Sequence, residues 1–359
     1  MWVSGQIVHD FEDAIGGVKE SLAREDQPHL FDRLSWFKAL WAHNRIGARP
    51  LIARAWCQGA RAWLFLAQQD KSRATALANY YTLAFRPIFT GEPDETMRKT
   101  LMIAIARRLR AKPHHLAHIC LSPVPQVDGS SDVLVSAFRQ AGWRVNVAQK
   151  TVNWTANVAG MRFDDYWAAR PGELRSTYAR KVKKSTVKTE VHSVISDEIW
   201  AEYESIYAES WKPEEGSTAF LRHMAEEEGA ACCLRLGIAR IDGVAVAAQL
   251  WTLEPAAPYQ RAIIHKLAYR ESAALHSPGT ILTHTMFRHV IDEDKVPLID
   301  YGTGDDRYKA AWMDTRNLMD QLDCYNISHP IGLWLAVKAR VSRLRLQGLL
   351  GAARLGNET

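Results

Sequence analysis

The stretch from Leu267 to Trp312 constrains this chain more than any other. It reads LAYRESAALHSPGT, then a run with helical spacing to about Ile291, then PLIDYGTGDDRYKAAW. This predicts a strand ending near Tyr269, a loop closed by Ser277-Pro278-Gly279-Thr280, a helix, and a short apolar strand from Val296 to Tyr301. That last strand delivers Asp300 and a glycine-punctuated turn. Gly279 lets the backbone approach a ligand closely, and Ser277 or Thr280 at the helix start leaves N–H groups pointing outward at the positive end of the helix dipole. Such a loop suits a pyrophosphate.

At 359 residues the length favours two domains over one. Apolar residues make up 47 % and charged ones 24 %, the composition of a globular protein with ample core, which excludes a disordered chain. The net charge of +5 is too small to argue for nucleic acid, and no DNA partner is expected. Cys57, Cys120, Cys232, Cys233 and Cys324 are scattered, with no C-x-x-C pair and no His at zinc-ligand spacing. They read as reduced, mostly buried thiols of a cytoplasmic protein, and no metal is expected. The sequence opens without a basic segment followed by an apolar run, and no uncharged apolar stretch reaches about 18 residues, so neither export nor membrane spanning is expected.

The remainder alternates helix and strand. Apolar groups at Trp36, Phe37, Leu40 and Trp41 after Ser35 predict a capped helix, and LIARAWCQGARAWLFLAQQ predicts a hairpin about Gln58-Gly59. A helix over Glu95–Leu109, a strand at HLAHICLSP, a helix over Ser131–Ala141 and strands over Trp143–Val147 and Val152–Val158 follow. A second helix-and-strand series opens at Phe163, where one helix is expected to run on through RPGELRSTYARKVKKS. It continues with a strand at Val187–Ser193, helices at Asp197–Ser210 and Thr218–Glu228, and a hairpin about Asp242-Gly243 between Cys232–Ile241 and Val244–Leu253. A strand over Tyr259–Leu267 and a last one at about 321–327 complete it. Two α/β (α+β) halves are the inference, each a mixed sheet flanked by helices, with a boundary between Val158 and Phe163.

The strand, S-P-G loop, helix and D-x-G-x-G-x-x-x-Y-K-x-x-W series resembles the GNAT-type acyltransferases. More narrowly the chain is similar to the FemAB/CelD-like group, in which two GNAT folds share one chain. The resemblance rests on Tyr166 with Leu174-Arg175-Ser176, Ser210-Trp211-Lys212 with Glu215-Gly216, the Ile241 to Ala245 hairpin, Ser277-Pro278-Gly279, and Asp300 through Trp312. It implies tandem GNAT-like domains over 1–160 and 161–330, with a basic amphipathic helix over 331–359. It also implies an acyl-CoA co-substrate, acetyl-CoA foremost, with its pyrophosphate over His276, Ser277, Gly279 and Thr280. Pro278 departs from the usual GNAT loop and removes one N–H. Fem peptidoglycan transferases, which take aminoacyl-tRNA as donor, carry a lysine in a comparable late Lys-x-x-aromatic motif, where Lys309 and Trp312 stand here.

Acyl transfer to an amine needs a neutral nucleophile, an oriented carbonyl and relief for the oxyanion. Asp300 either accepts a proton from the amine or caps the Gly302-Thr303-Gly304 turn. Tyr308 either donates a proton to the leaving thiolate or packs against Trp312. Lys309 either stabilises the acyl oxygen or pairs with Asp305 or Asp306. Trp211, Lys212 and Glu215 either line an acceptor pocket or end a helix. His265 and His284 receive no role.

Two basic segments are read separately. Arg170, Arg175, Arg180, Lys181, Lys183, Lys184 and Lys188 meet an anionic acceptor, a lipid phosphate surface or a tRNA, or form a solvated face. In the tail, Leu333, Trp334, Val337, Val341 and Leu344 fall near one face and Lys338, Arg340, Arg343 and Arg345 mostly off it, with Gly348 ending the stripe. That helix either lies on an anionic membrane or covers its own protein's core. Together these readings give an acyltransferase acting on a polysaccharide or lipid-linked precursor, cytoplasmic or peripheral at the inner membrane. The alternatives are a tRNA-dependent aminoacyl transferase and a non-catalytic accessory protein of polysaccharide assembly.

Overall fold

Two tight turns show how local sequence sets the sheets. Gln58-Gly59 and Asp242-Gly243 take positive φ at both positions, 51° and 86° in the first and 49° and 83° in the second. This is the backbone twist that keeps the flanking antiparallel strands paired. The computed structural model describes residues 2–15, 22–254 and 261–355, without the side chains of Ile15 and of 343–355.

In chain order the strands are β1 (Ser4–Val8), β2 (Arg49–Cys57), β3 (Ala60–Gln68), β4 (Arg73–Ala76), β5 (Ile88–Thr90), β6 (His118–Pro125), β7 (Trp143–Asn157), β8 (Lys188–His192), β9 (Leu234–Ile241), β10 (Val244–Glu254), β11 (Arg261–Tyr269), β12 (Leu298–Thr303) and β13 (Thr315–Asn326). The α-helices are α1 (Phe11–Ile15), α2 (Leu34–His43), α3 (Glu95–Arg110), α4 (Ser130–Gln140), α5 (Phe163–Ala168), α6 (Gly172–Lys184), α7 (Asp197–Ala208), α8 (Thr218–Ala230), α9 (Pro278–Arg288), α10 (Arg307–Trp312) and α11 (Pro330–Leu355).

The chain divides into two units: Met1–Leu22, Ile46–Lys150 and Met319–Thr359 form the first, and Ala23–Arg45 and Thr151–Leu318 the second. Both are discontinuous. They depart from the contiguous spans read from the sequence at 23–45, at 151–160 and beyond 318. The first unit's sheet runs β1-β2-β3-β4-β6-β13, with β4 and β6 parallel and the other neighbours antiparallel. The second runs β8-β9-β10-β11-β12 to the 151–157 part of β7, again with one parallel pair, β11 and β12, in the same place. Each sheet is mixed and flanked by helices.

Several expected elements change on folding. Residues 143–157 form one strand rather than two, because Gln149-Lys150-Thr151 is polar yet contains no Gly or Pro to turn the chain. The helix expected from Phe163 onward is two, α5 and α6, since Pro171 has no N–H to continue the first and stands at the N-terminus of the second. Ser35 does not cap α2. The cap position is Arg33, whose guanidinium is fixed by Gln27 O at 3.1 Å, Pro28 O at 2.8 Å and Glu228 at 3.2 Å. The final strand begins six residues before the expected 321. Tyr259 and Gln260, expected to open β11, lie outside the described residues.

Buried carboxylates hold 23–45 within the second unit. Glu228 accepts two bonds from Arg24 at 2.7 Å as well as that from Arg33, and Arg33 and Glu228 side chains are 2 % and 3 % exposed. Glu254 accepts the Leu30 N–H at 2.9 Å and lies 3.0 Å from His29 Nδ1. Phe31, Trp36 and Phe220 close the apolar side with edge-on ring contacts. Removing one partner of such a pair leaves an uncompensated buried charge, so Glu228→Gln should cost about 3 kcal/mol of unfolding free energy by denaturant titration. Burial alone would raise the Glu254 carboxyl, but His29, the Arg261 charge and the Leu30 N–H hold it at about 2. The stability this confers is complete above the ordinary value of 4.5 and is lost as pH falls from there towards 2. Melting temperatures of wild type and Glu254→Gln, measured across that window, should converge as the pH drops.

Candidate active site

The site is built where two parallel strands stop pairing. Among the described residues, β11 and β12 are matched over Arg261–Ile263 against Leu298–Asp300. Beyond those positions β11 continues through Tyr269 and β12 through Thr303 without pairing with each other. The main chains that border this slot still carry N–H and C=O groups that an extended ligand can meet.

Asp300 stands at the last paired position and is 3 % exposed. Its Oδ1 accepts the Gly302 N–H at 2.8 Å and its Oδ2 lies 3.3 Å from Arg261 Nη1. The capping bond considered from the sequence is therefore present. The turn it fixes presents Thr303 O to Lys309 Nζ, which lies 5.7 Å from the Tyr301 ring centroid and 3.9 Å from Asp306. The Lys309 side chain is 14 % exposed, and burial pulls its ammonium below the usual lysine range.

Tyr308, one residue earlier on α10, places its hydroxyl 2.9 Å from Thr283 Oγ1. Burial raises that phenol, so it stays protonated through the neutral range. Its ring lies 6.3 Å from Trp312, so the packing contact considered from the sequence exists beside the hydrogen bond. Tyr301 Oη and Trp312 Nε1 are buried and face the Tyr308 hydroxyl. The whole segment is pinned from behind: Tyr166 Oη and Arg170 Nη1 both donate to Trp312 O, and Arg170 Nη2 bonds Asp314 at 2.7 Å.

The 211–216 loop joins this region through a stack. Trp211 lies 4.3 Å from Tyr269 by ring centroids, and Tyr269 covers Gly279, where an added Cβ would meet its ring at 3.2 Å. Gly279 is thus required for close approach. Lys212 Nζ sits 5.8 Å from the Trp211 ring centroid and has no ion-pair partner among the described residues. Burial, and then the ammonium groups of Lys266 and Lys309, lower it to about 8. Glu215 is taken by Lys266 at 2.9 Å, with side chains 4 % and 10 % exposed.

The Ser277–Thr280 loop does not fit a pyrophosphate in the way the sequence suggested. Ser277 is left-handed at φ 51° and Pro278 has no N–H. The Ser277 N–H donates to Ala274 O at 3.0 Å, and those of Thr280 and Ile281 donate to Ser277 O at 3.1 and 3.2 Å. Gly279 contributes the one remaining amide of the 277–280 turn. His276 is exposed beside it, and Lys181 from α6 donates to Leu275 O at 2.7 Å, which brings the basic helix against the loop. Arg175, on the same helix, bonds Arg170 O at 3.1 Å.

Lys266, Thr283 and Gln249 escaped the sequence reading, and His265 and His284 are named there without a role. Lys266 and His265 form a polar pair inside the apolar run Ala262–Ala268, and that interruption was the available signal. His265 falls at the irregularity in β11 and bonds Thr252 Oγ1 at 2.8 Å, and burial holds it neutral at about 3. His284 is likewise neutral, lowered to about 4 by burial, and stacked on Tyr178 at 3.8 Å. Thr283 and Gln249, which bond each other at 2.6 Å beneath Gly279, carried no sequence signal.

The family model described as an acetyltransferase (GNAT) domain matches residues 156–310. Among solved structures, FemX is 9 % identical at a TM-score of 0.59, covering 89 % of this chain and 96 % of its own. A conserved protein of unknown function from Bacteroides thetaiotaomicron is 13 % identical at 0.55, with 90 % of this chain and 100 % of that one covered. The C-terminal domain of a protein described as a lysylphosphatidylglycerol synthetase of Agrobacterium fabrum is 13 % identical at 0.51, with 77 % and 83 % covered. No curated protein matches the chain. The fold is that of tandem GNAT-like units.

The electrostatics give a direct check. With lysine amines carrying ¹³C-methyl labels, one resonance, lost in Lys212→Met, should titrate near 8, while surface lysines titrate near ~10.4.

Proposed function

We propose that the chain is an acyltransferase whose reaction centre lies in the second unit, between the 211–216 loop and the 300–312 segment. It transfers an acyl group to an amine or hydroxyl of a polysaccharide or lipid-linked precursor, at or near a membrane surface. The observation that carries this reading is that Lys212, Lys266 and Lys309 are all partly desolvated in one region, with Glu215 paired to Lys266 and with Asp300 and Asp306 beside Lys309. Burial lowers all three ammonium groups, and Lys212, at about 8, is poised for proton transfer near neutral pH.

In this reading Lys309, oriented by Thr303 O, relieves the charge that develops on the acyl oxygen. Lys212, with part of its population neutral at pH 7 to 8, takes the proton released by the acceptor. Lys266 is neutralised by Glu215 and keeps Lys212 low. Tyr308, protonated, supplies a proton to the departing group, and Asp300 holds the turn that aims Lys309. Trp211 offers an aromatic face to the acceptor, and Arg175 a cation to an anionic one.

The donor carries its acyl group on a phosphate-bearing carrier. The matched acetyltransferase domain supports acyl-CoA, acetyl-CoA foremost. The shortage of amides in the Ser277–Thr280 turn and the basic α6 against it favour a second reading, an aminoacyl-tRNA donor as in the Fem transferases. Acetyl-CoA and charged tRNA, offered separately with amine and sugar acceptors, distinguish the two. Transfer from either should fall about 100-fold or more in Lys309→Ala. With tRNA as donor, Pro278→Gly should leave transfer unchanged, whereas with CoA the added amide should tighten binding. Transfer from neither carrier, by protein that melts normally, overturns the enzyme reading and leaves the accessory role.

A further inference from the structure

Helix α11 is 26 residues long and carries Lys338, Arg340, Arg343, Arg345 and Arg354 with no Asp or Glu. It presents two apolar faces. Gly332, Leu335, Ala336 and Ala339, spaced by three and four residues, are buried or half-buried. Gly332 seats this face so closely that a Cβ would collide with Asn326 O and Ala117 O. The opposite face, Leu333, Trp334, Val337 and Val341, is 43–59 % exposed at every position. A helix covering its own core needs one apolar stripe, and the first face supplies it.

Charge decides what covers the second face. Lys338 and Arg340 are exposed at its margins, and Lys338 Nζ lies 5.1 Å from the Trp334 ring centroid. An apolar stripe bearing an indole, bordered by cations and free of acids, matches an anionic lipid surface, into which the apolar residues sink while the lysine and arginine heads stay with the phosphates. We infer that the outer face of α11 docks the protein on an anionic bilayer. This stands apart from the acyl-transfer reading, because docking needs neither donor nor acceptor.

The test uses the full chain with vesicles of equal parts phosphatidylglycerol and phosphatidylcholine, with phosphatidylcholine vesicles, and by sedimentation velocity without lipid. The wild type should cosediment with the anionic vesicles and bind the neutral ones more weakly. Lys338→Gln with Arg340→Gln should lower the partition constant roughly 10- to 30-fold at unchanged melting temperature. Leu333→Glu with Val337→Glu should abolish binding. Absence of binding by wild type overturns the inference, as does binding that survives the glutamates. It is equally overturned if the wild type self-associates through this face, so that the glutamates yield monomer while vesicles bind neither form.

Discussion

Everything in the second unit's site depends on where the β11–β12 pairing ends. Parallel neighbours normally stay in register along their shared length, because each lost pair leaves main-chain groups without partners. Here, among the described residues, register holds for Arg261–Ile263 and not beyond Ile263. Asp300 sits at the limit and spends its carboxylate on Gly302 and Arg261, which converts the end of pairing into a fixed turn. Lys309 is then held by that turn, and Tyr308 by Thr283 on the helix beneath it. The chemistry inherits its geometry from a strand that stops.

The amines add a second level of organisation. Three lysines near one another would each prefer water, and each is lowered by burial. Glu215 pairs with Lys266, and Asp306 and Asp300 lie near Lys309, which leaves the charge of Lys212 without an ion pair among the described residues in a poorly solvated place. Such charge is costly to folding and useful to a reaction that develops an anion. Trp211 packs on Tyr269, which in turn covers Gly279, so the 211–216 loop meets the start of α9 through aromatic faces.

Legibility in the sequence followed the range of the interactions. Turns set by adjacent residues, such as Gln58-Gly59 and Asp242-Gly243, were readable, as was the alternation of strands and helices. The strand, loop and helix around Ser277 were readable too, but the use of their amides was not. Pro278 announced one missing N–H, whereas the capture of the Thr280 N–H by Ser277 depends on a left-handed Ser277 that no composition rule demands. Arg170 reads as part of a basic run that either meets an anionic partner or is solvated, and it lies buried against Trp312 O, a partner 142 positions away. Arg33 misled the placement of a helix start for the same reason: its carboxylate partner is Glu228.

The discontinuity of the two units bears on how the polypeptide is made. The first unit's sheet is completed by β13, paired with β6 from Met319 onward. A nascent chain on the ribosome therefore carries an unfinished first sheet, with the edge of β6 uncovered, until almost the whole second unit has been synthesised. The second unit, which recruits 23–45 and 151–157 from upstream, has its pieces in hand first. The topology makes the last strand of the first unit the last one synthesised, and cutting the chain near 150 would leave the first half without the strand that finishes it.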